Sequence, residues 1–391
     1  MKITDFIPIR QALVVFFMLI LIGMLLFLLS PVLIPRVSNV TAEQYIIPAI
    51  ENCYAAANQN ACYIQAAVTL AKRFQPSVVL QIVARNEKQP HIFQVCHEVL
   101  HFFGRAIFNR TKNVSRALID GDATCFAGYY HGVLEGYFLE NGLLGTIDDA
   151  FFAKKISSLC EQNDTTRTKK DVHECLHGLG HAFMFATDAD LPRSLSLCDI
   201  FPRDDATWCY SGVFMENSTS ATNKDHPSKY FKKDDPGYPC SILDEKYLSM
   251  CYTLQTQYVV NQNGGDWEQT FAFCQKIPRA YRKDCAMAIG GSISQYDPDP
   301  HSIKESCEKG PDSSDQKSCV DGVVGALGEH YNNPFDHVVT FCSILDVHKA
   351  ACYQQMNNLM GNWSRDMHIL QAGCDMISEA AYRTSCLQTL E

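Results

Sequence analysis

Paired cysteines recur along most of the chain, and they constrain its fold more than any other feature. The first members of six pairs, at positions 198, 240, 274, 307, 342 and 374, follow one another at steps of 42, 34, 33, 35 and 32 residues. This is the period of helix-turn-helix repeats. Eighteen cysteines without a CxxC motif indicate disulfides formed in an oxidising compartment. The expected pairs are Cys198 with Cys209, Cys240 with Cys251, Cys274 with Cys285, Cys307 with Cys319, Cys342 with Cys352, Cys374 with Cys386, Cys53 with Cys62 and Cys160 with Cys175.

The sequence around each pair predicts two helices joined by a turn. An amphipathic run, WEQTFAFC, ends at Cys274, the turn QKIPR follows, and an apolar run begins at Cys285. We therefore expect the first cysteine in the last turn of one helix and the second in the first turn of the next. Antiparallel packing brings such positions within disulfide reach, and closing a loop of about 12 residues is worth ~3 kcal/mol in the chain-entropy model. Cys96 and Cys125 remain, and by elimination we expect them to pair with each other.

This pattern resembles the tetratricopeptide class and, more closely, the cysteine-rich repeat proteins whose αα-hairpins are each stapled by a disulfide. The resemblance covers roughly residues 40–391, although the tetratricopeptide Trp-Leu-Gly-Tyr signature is missing. It implies an all-α fold of stapled hairpins, an α-solenoid, with a protein or peptide partner on its concave face. Glycines three residues after a cysteine favour close helix packing, with the floor of a ligand site as the alternative reading. These glycines are Gly128, Gly178, Gly212 and Gly322.

The N-terminal region predicts a membrane anchor. Residues 11–35 carry no charge, and 12–29 are apolar apart from Gly23, close to the ~20 residues that a bilayer requires. We expect an uncleaved signal-anchor, with a cleaved signal peptide as the alternative. The disulfides place the body outside the cytoplasm. The predicted organisation is a cytoplasmic tail (1–10), a transmembrane segment (11–35), a histidine-rich helical half (36–225), a loop (226–240) and a second helical half (241–391). A net charge of −10 without a basic run argues against nucleic-acid binding.

Histidines cluster in the first helical half, where seven of the thirteen lie between positions 91 and 181. His97-Glu98-Val-Leu-His101 is an HExxH motif and over these five residues resembles the zinc metallopeptidases. The resemblance implies that His97 and His101 bind a metal and that Glu98 acts as general base. The third histidine of the metzincin motif is missing.

A second HExxH motif begins at His173, but Cys175 within it opens a helix, so the usable pair is His177 and His181. Together with His131 on the helix between, these side chains predict a pocket of five imidazoles that Glu98, Glu135 and Glu216 can face. Imidazole and carboxylate suit a divalent metal such as zinc or iron. The alternative is that the histidines are buried packing residues.

The predicted fold, membrane anchor and histidine cluster are consistent with two functions. One is a membrane-anchored binding or scaffold protein with a histidine metal site. The other is a metal-dependent hydrolase with His97, His101, His131, His177 and His181 as ligands and Glu98 as base. The sequence leaves open whether the protein is an enzyme.

Overall fold

The described residues of the computed structural model are 39–122, 124–140, 160, 169–220, 228–232 and 234–390, and their regular structure is entirely helical. Eighteen α-helices lie in this part of the chain. Those of the first half are α1 (Asn39–Tyr54), α2 (Gln59–Arg73), α3 (Pro76–Asn86), α4 (Pro90–Thr111), α5 (Val114–Ile119), α6 (Thr124–Glu140), α7 (Lys169–Ala186), α8 (Leu191–Cys198) and α9 (Arg203–Ser220). Those of the second half are α10 (Glu245–Gln262), α11 (Trp267–Cys274), α12 (Arg282–Tyr296), α13 (Pro300–Cys307), α14 (Ser313–His330), α15 (Phe335–Ser343), α16 (Lys349–Trp363), α17 (Met367–Asp375) and α18 (Ala380–Gln388).

Short and long helices alternate from α10 to α16, and aspartates fix where several helices of both halves begin. The side chain of Asp190 accepts a hydrogen bond from the N–H of Arg193, and that of Asp266 accepts one from the N–H of Gln269. Each bond satisfies a backbone donor that the first helical turn leaves unpaired. The caps therefore set the start of α8 and α11 within the chain.

All eighteen cysteines form disulfides, which confirms the predicted disulfide bonding, and the described helices confirm the all-α class. Every predicted partner is the observed one, and the Cα atoms of each pair lie 5.4 to 5.8 Å apart. The nine pairs are Cys53 with Cys62, Cys96 with Cys125, Cys160 with Cys175, Cys198 with Cys209, Cys240 with Cys251, Cys274 with Cys285, Cys307 with Cys319, Cys342 with Cys352, and Cys374 with Cys386.

The predicted place of the second cysteine, in the first turn of its helix, holds for some pairs and is wrong for others. The first turns of α2, α12 and α16 contain Cys62, Cys285 and Cys352. The cysteines that lie in the second turn instead are Cys175 in α7, Cys209 in α9, Cys251 in α10, Cys319 in α14 and Cys386 in α18. The prediction that Cys175 opens a helix is therefore wrong, because α7 already begins at Lys169.

The start of α14 shows the reason for this difference. The side chain of Asp312 accepts hydrogen bonds from the N–H groups of Ser314 and Asp315, so the helix begins one turn before Cys319. Cys240 also departs from the prediction, because it opens a short 3₁₀ turn rather than ending an α-helix. The cap residue, rather than the cysteine, therefore decides where a helix begins.

The long helices pack in sequence order within one compact unit, Ile46–Glu391. Helix α4 packs on α6, α6 on α7, α7 on α9, and the series continues through α10, α12, α14 and α16. Helix α14 also contacts α6, and α16 contacts α7. The row of helices therefore curves back towards its beginning, and the inner faces of its long helices surround a cavity.

Glycines allow three of these helix pairs to approach closely. A Cβ added at Gly128 in α6 would lie 2.3 Å from the carbonyl oxygen of His97, and one at Gly212 in α9 would lie 1.9 Å from that of His177. In the second half, the corresponding atom at Gly322 would lie 1.9 Å from the carbonyl oxygen of Met287. These three glycines, each three residues after a cysteine, therefore serve close helix packing, because a side chain would clash with the neighbouring helix.

The predicted cytoplasmic tail and the predicted transmembrane segment lie outside the described residues. Among the helices that are described, none is both long enough and apolar enough to cross a membrane.

Candidate metal centre

His131 in α6 lies at the centre of a group of five imidazole rings. Its ring centroid is 4.8 Å from that of His177, 5.1 Å from His181, 5.2 Å from His97 and 5.9 Å from His101. The five side chains predicted from sequence therefore converge, because α6 packs between α4 and α7. Each flanking helix contributes two histidines four residues apart, which place their side chains on one face.

The two histidines of α7 are held by hydrogen bonds that determine which ring nitrogen carries the proton. Ser211 donates its hydroxyl hydrogen to the carbonyl oxygen of Trp208 and therefore accepts one from Nδ1 of His177, 2.6 Å away. Nδ1 of His181 donates to the carboxylate of Glu216 at 2.9 Å. If both rings are neutral, each Nε2 keeps its lone pair, and these two atoms are 3.1 Å apart. Two facing lone pairs repel unless a proton or a metal ion lies between them.

The two histidines of α4 are held in the same way. Nδ1 of His97 donates to the carbonyl oxygen of Cys125 at 2.9 Å, and Nδ1 of His101 lies 3.0 Å from a carboxylate oxygen of Glu135. Although burial acts to raise it, His101 and Arg105 lower the pKa of Glu135 to about 2, so this carboxylate is an acceptor. Protein metal sites orient histidine ligands through such partners on the second ring nitrogen.

His131, His177 and His181 form the tightest part of the cluster and could hold one metal ion. One ligand atom from each lies within 4.8 Å of the others, and all three side chains are buried. His131 is 2% exposed, and neither of its ring nitrogens has a hydrogen-bond partner among the described residues. An unpaired buried polar atom costs roughly 1–3 kcal/mol, and metal coordination would remove that cost for the ring nitrogen that carries the lone pair. Three imidazoles with a fourth position open is the ligand set of catalytic zinc sites.

Burial favours the neutral imidazoles that a metal ion requires. It lowers the pKa of His131 and of His177 well below the usual histidine value, and the neighbouring imidazoles lower both further. A neutral ring offers a lone pair at Nε2, whereas a protonated ring offers none. The cluster is therefore suited to coordination at neutral pH.

A cavity of about 520 Å³ borders the cluster. His97, His131 and His177 contribute to its wall, whereas His101 and His181 are not among its lining residues. The rest of the wall comes from other residues of α4 and α7 and from α9, α10, α12 and α14. A ligand in the cavity would contact the imidazoles directly.

The two HExxH motifs have different positions relative to the cavity. In the first, both histidines join the cluster, but Glu98 is exposed and is not among the described residues that line the cavity. In the second, only His177 joins the cluster, while Glu174 is buried, lines the cavity and approaches Nε2 of His131 to 3.7 Å. Glu174 was not predicted as a site residue, although the second motif contains it. Ser211 had no sequence signal beyond its place one residue before Gly212.

His173, the remaining histidine of the second motif, stacks on Trp208 with ring centroids 4.4 Å apart. Burial and the nearby Lys169 lower its pKa to about 4. In the unfolded chain this imidazole binds a proton near pH 6.5, whereas in the folded chain it stays neutral down to about pH 4. The unfolded state therefore binds more protons between these two values, and the free energy of unfolding falls as the pH drops below 6.5. His173→Phe, which keeps an aromatic ring, should lose about 2 kcal/mol less stability than the parent between pH 7 and pH 5.

Urea denaturation of the full-length chain at the two pH values measures this difference. His368→Phe, at an exposed position, is the control and should follow the parent. Equal pH dependence in all three chains would contradict the assignment of His173 as a group that is neutral in the folded state.

Comparisons with protein-family models, with curated proteins and with solved structures find no match to this chain.

Proposed function

We propose that the protein binds one divalent transition metal ion, zinc or iron, through His131, His177 and His181. The observation that carries this proposal is the pair of Nε2 atoms of His177 and His181, 3.1 Å apart, whose Nδ1 atoms both donate hydrogen bonds. A metal ion accepts both lone pairs and converts a repulsive contact into coordination. His97 and His101 would then lie beside the centre, with His97 at the cavity wall.

The proposed metal centre would lie in the extracytoplasmic body of a membrane-anchored protein. The chain would be a single-pass membrane protein, anchored through residues 11–35, with its body outside the cytoplasm. Nine disulfides support an oxidising compartment. The body would be an α-solenoid whose row of hairpins curves around the cavity, and the sequential packing of the long helices supports this arrangement. A protein or peptide partner on the concave face would meet the mouth of that cavity.

Metal content of the purified full-length chain tests the centre. The parent should bind one equivalent of Zn²⁺ or Co²⁺, and His131→Ala should abolish binding because it removes the central ligand. Glu216→Gln should weaken binding by about 10–100-fold, since it keeps the ligands but alters the partner that orients His181. His368→Ala, an exposed histidine outside the cluster, should bind as the parent does. Unchanged metal affinity in folded His131→Ala would refute the site.

A metal-dependent hydrolase is the second candidate, favoured by the cavity beside a ligand set with an open coordination position. Glu174 is the better placed general base, because it lines the cavity and Glu98 is exposed. With a zinc-loaded chain and an uncharged ester, Glu174→Gln should lower the rate by about 10²–10⁴-fold at unchanged metal content. Glu98→Gln should have little effect. The reverse outcome would support the assignment of Glu98 that the metallopeptidase resemblance implies.

A further inference from the structure

Apart from the histidines, the wall of the cavity is largely apolar. Met215, Met250 and Met287 contribute from α9, α10 and α12, and Trp208 and Leu254 lie among them. Thioether side chains have three rotatable bonds and adapt to ligands of irregular shape, while the indole offers a rigid apolar surface. Burial of an apolar molecule against such a wall is therefore more favourable than burial of a hydrated one.

Apart from the histidines, the titratable side chains of the wall are acidic. Glu174, Asp284 and Glu329 line the cavity, and none of its described lining residues is a lysine or an arginine. Phosphate and carboxylate groups are recognised in proteins through arginine or lysine, and an anionic group placed against this wall, away from the metal, would lose its hydration without such a partner. The wall therefore selects against ligands that carry an anionic group away from the metal.

Two of the proposed metal ligands are also part of the cavity wall. His131 and His177 belong both to the proposed metal centre and to the wall of the cavity. A molecule in the cavity can thus reach the open coordination position while its remainder contacts the methionines. A volume of about 520 Å³ is within the range of protein sites for small organic molecules.

We propose that the cavity binds an uncharged, largely apolar small molecule that donates one nitrogen or oxygen atom to the metal held by His131, His177 and His181. This inference rests on the proposed metal centre and specifies its substrate class. The donor atom fills the open position, and the apolar body lies against Met215, Met250 and Met287. Molecules that place a phosphate or carboxylate group against the acidic wall are excluded as substrates.

Three probes of related shape test the proposal on the cobalt-loaded full-length chain. They are 4-phenylimidazole, imidazole, which has the donor without the apolar body, and 4-(imidazol-4-yl)benzoate, which adds a negative charge. The visible cobalt spectrum reports coordination, and calorimetry gives the affinity. 4-Phenylimidazole should bind at least tenfold more tightly than either of the others. Equal affinity for the phenyl and benzoate probes, or for 4-phenylimidazole and imidazole, would overturn the inference.

A substitution in the wall provides an independent test. A Cβ at Gly325, which lines the cavity, meets no atom within 4 Å, so Gly325→Phe can place a ring in the cavity without a backbone clash. It should weaken 4-phenylimidazole at least tenfold and leave cobalt and imidazole affinity unchanged. Gly361→Phe, at an exposed position that also has open space, should change neither.

The two proposals fail in different ways. If the chain takes up no cobalt, the proposed metal centre is wrong, and the proposed contact between the ligand's donor atom and the metal is wrong as well. If cobalt binds but Gly325→Phe leaves 4-phenylimidazole affinity unchanged, the metal centre stands and the assignment of the cavity is wrong.

Discussion

Replacing Gly322 with alanine should destabilise the folded chain by about 3 kcal/mol or more, because the new methyl group has no space. It would lie 1.9 Å from the carbonyl oxygen of Met287 and 2.6 Å from the carbonyl carbon. These are backbone atoms of α12, so the clash is relieved only if α12 and α14 move apart. Chemical denaturation of the purified full-length chain, with its disulfides intact, measures the loss.

Gly325→Ala is the matched control, since it lies three residues later in the same helix. Its Cβ would meet nothing within 4 Å, so only helix propensity acts, and alanine should stabilise by up to ~1 kcal/mol. The two substitutions are chemically identical and should differ in sign. Equal stability changes would mean that α12 and α14 do not pack as closely as described.

Lys170→Met should cost about 3–5 kcal/mol, the second large effect, because it removes a charge that is buried with its partners. Lys170 in α7 is 3% exposed, and its ammonium group donates hydrogen bonds to the carbonyl oxygens of Gly328 at 2.7 Å and Tyr331 at 2.8 Å. Glu174 and Glu329 lie nearby and are hydrogen-bonded to each other. Burial lowers the pKa of the lysine and raises the pKa of both carboxyl groups. Methionine would leave the carbonyls and the carboxyl pair without their cation.

Lys88→Met tests whether burial is the reason. Lys88 pairs with Asp336 at 3.1 Å, but both side chains are exposed, so its loss should cost about 0–1 kcal/mol. Denaturation curves of both variants provide the comparison. A Lys170→Met chain within 1 kcal/mol of the parent would show that the contact of α7 with the end of α14 does not depend on this ammonium group.

The local structure of this chain followed from its sequence. A cysteine such as Cys274 at the end of an amphipathic run, with Cys285 eleven residues later, indicates a hairpin because both helices are read from their own residues. The histidine pairs were predicted for the same reason. A spacing of four fixes the angle between two side chains on one helix, and this holds wherever the helix packs.

The tertiary structure decided which side chains meet. Sequence periodicity does not fix the rotation of a helix about its own axis or the angle at which it crosses its neighbour. The two HExxH motifs share one spacing, yet Glu98 is exposed and Glu174 lines the cavity. The contact of Lys170 with Gly328 spans 158 residues. It depends on how far the row of helices curves, and that curvature is the sum of many small packing angles that no local stretch of sequence specifies.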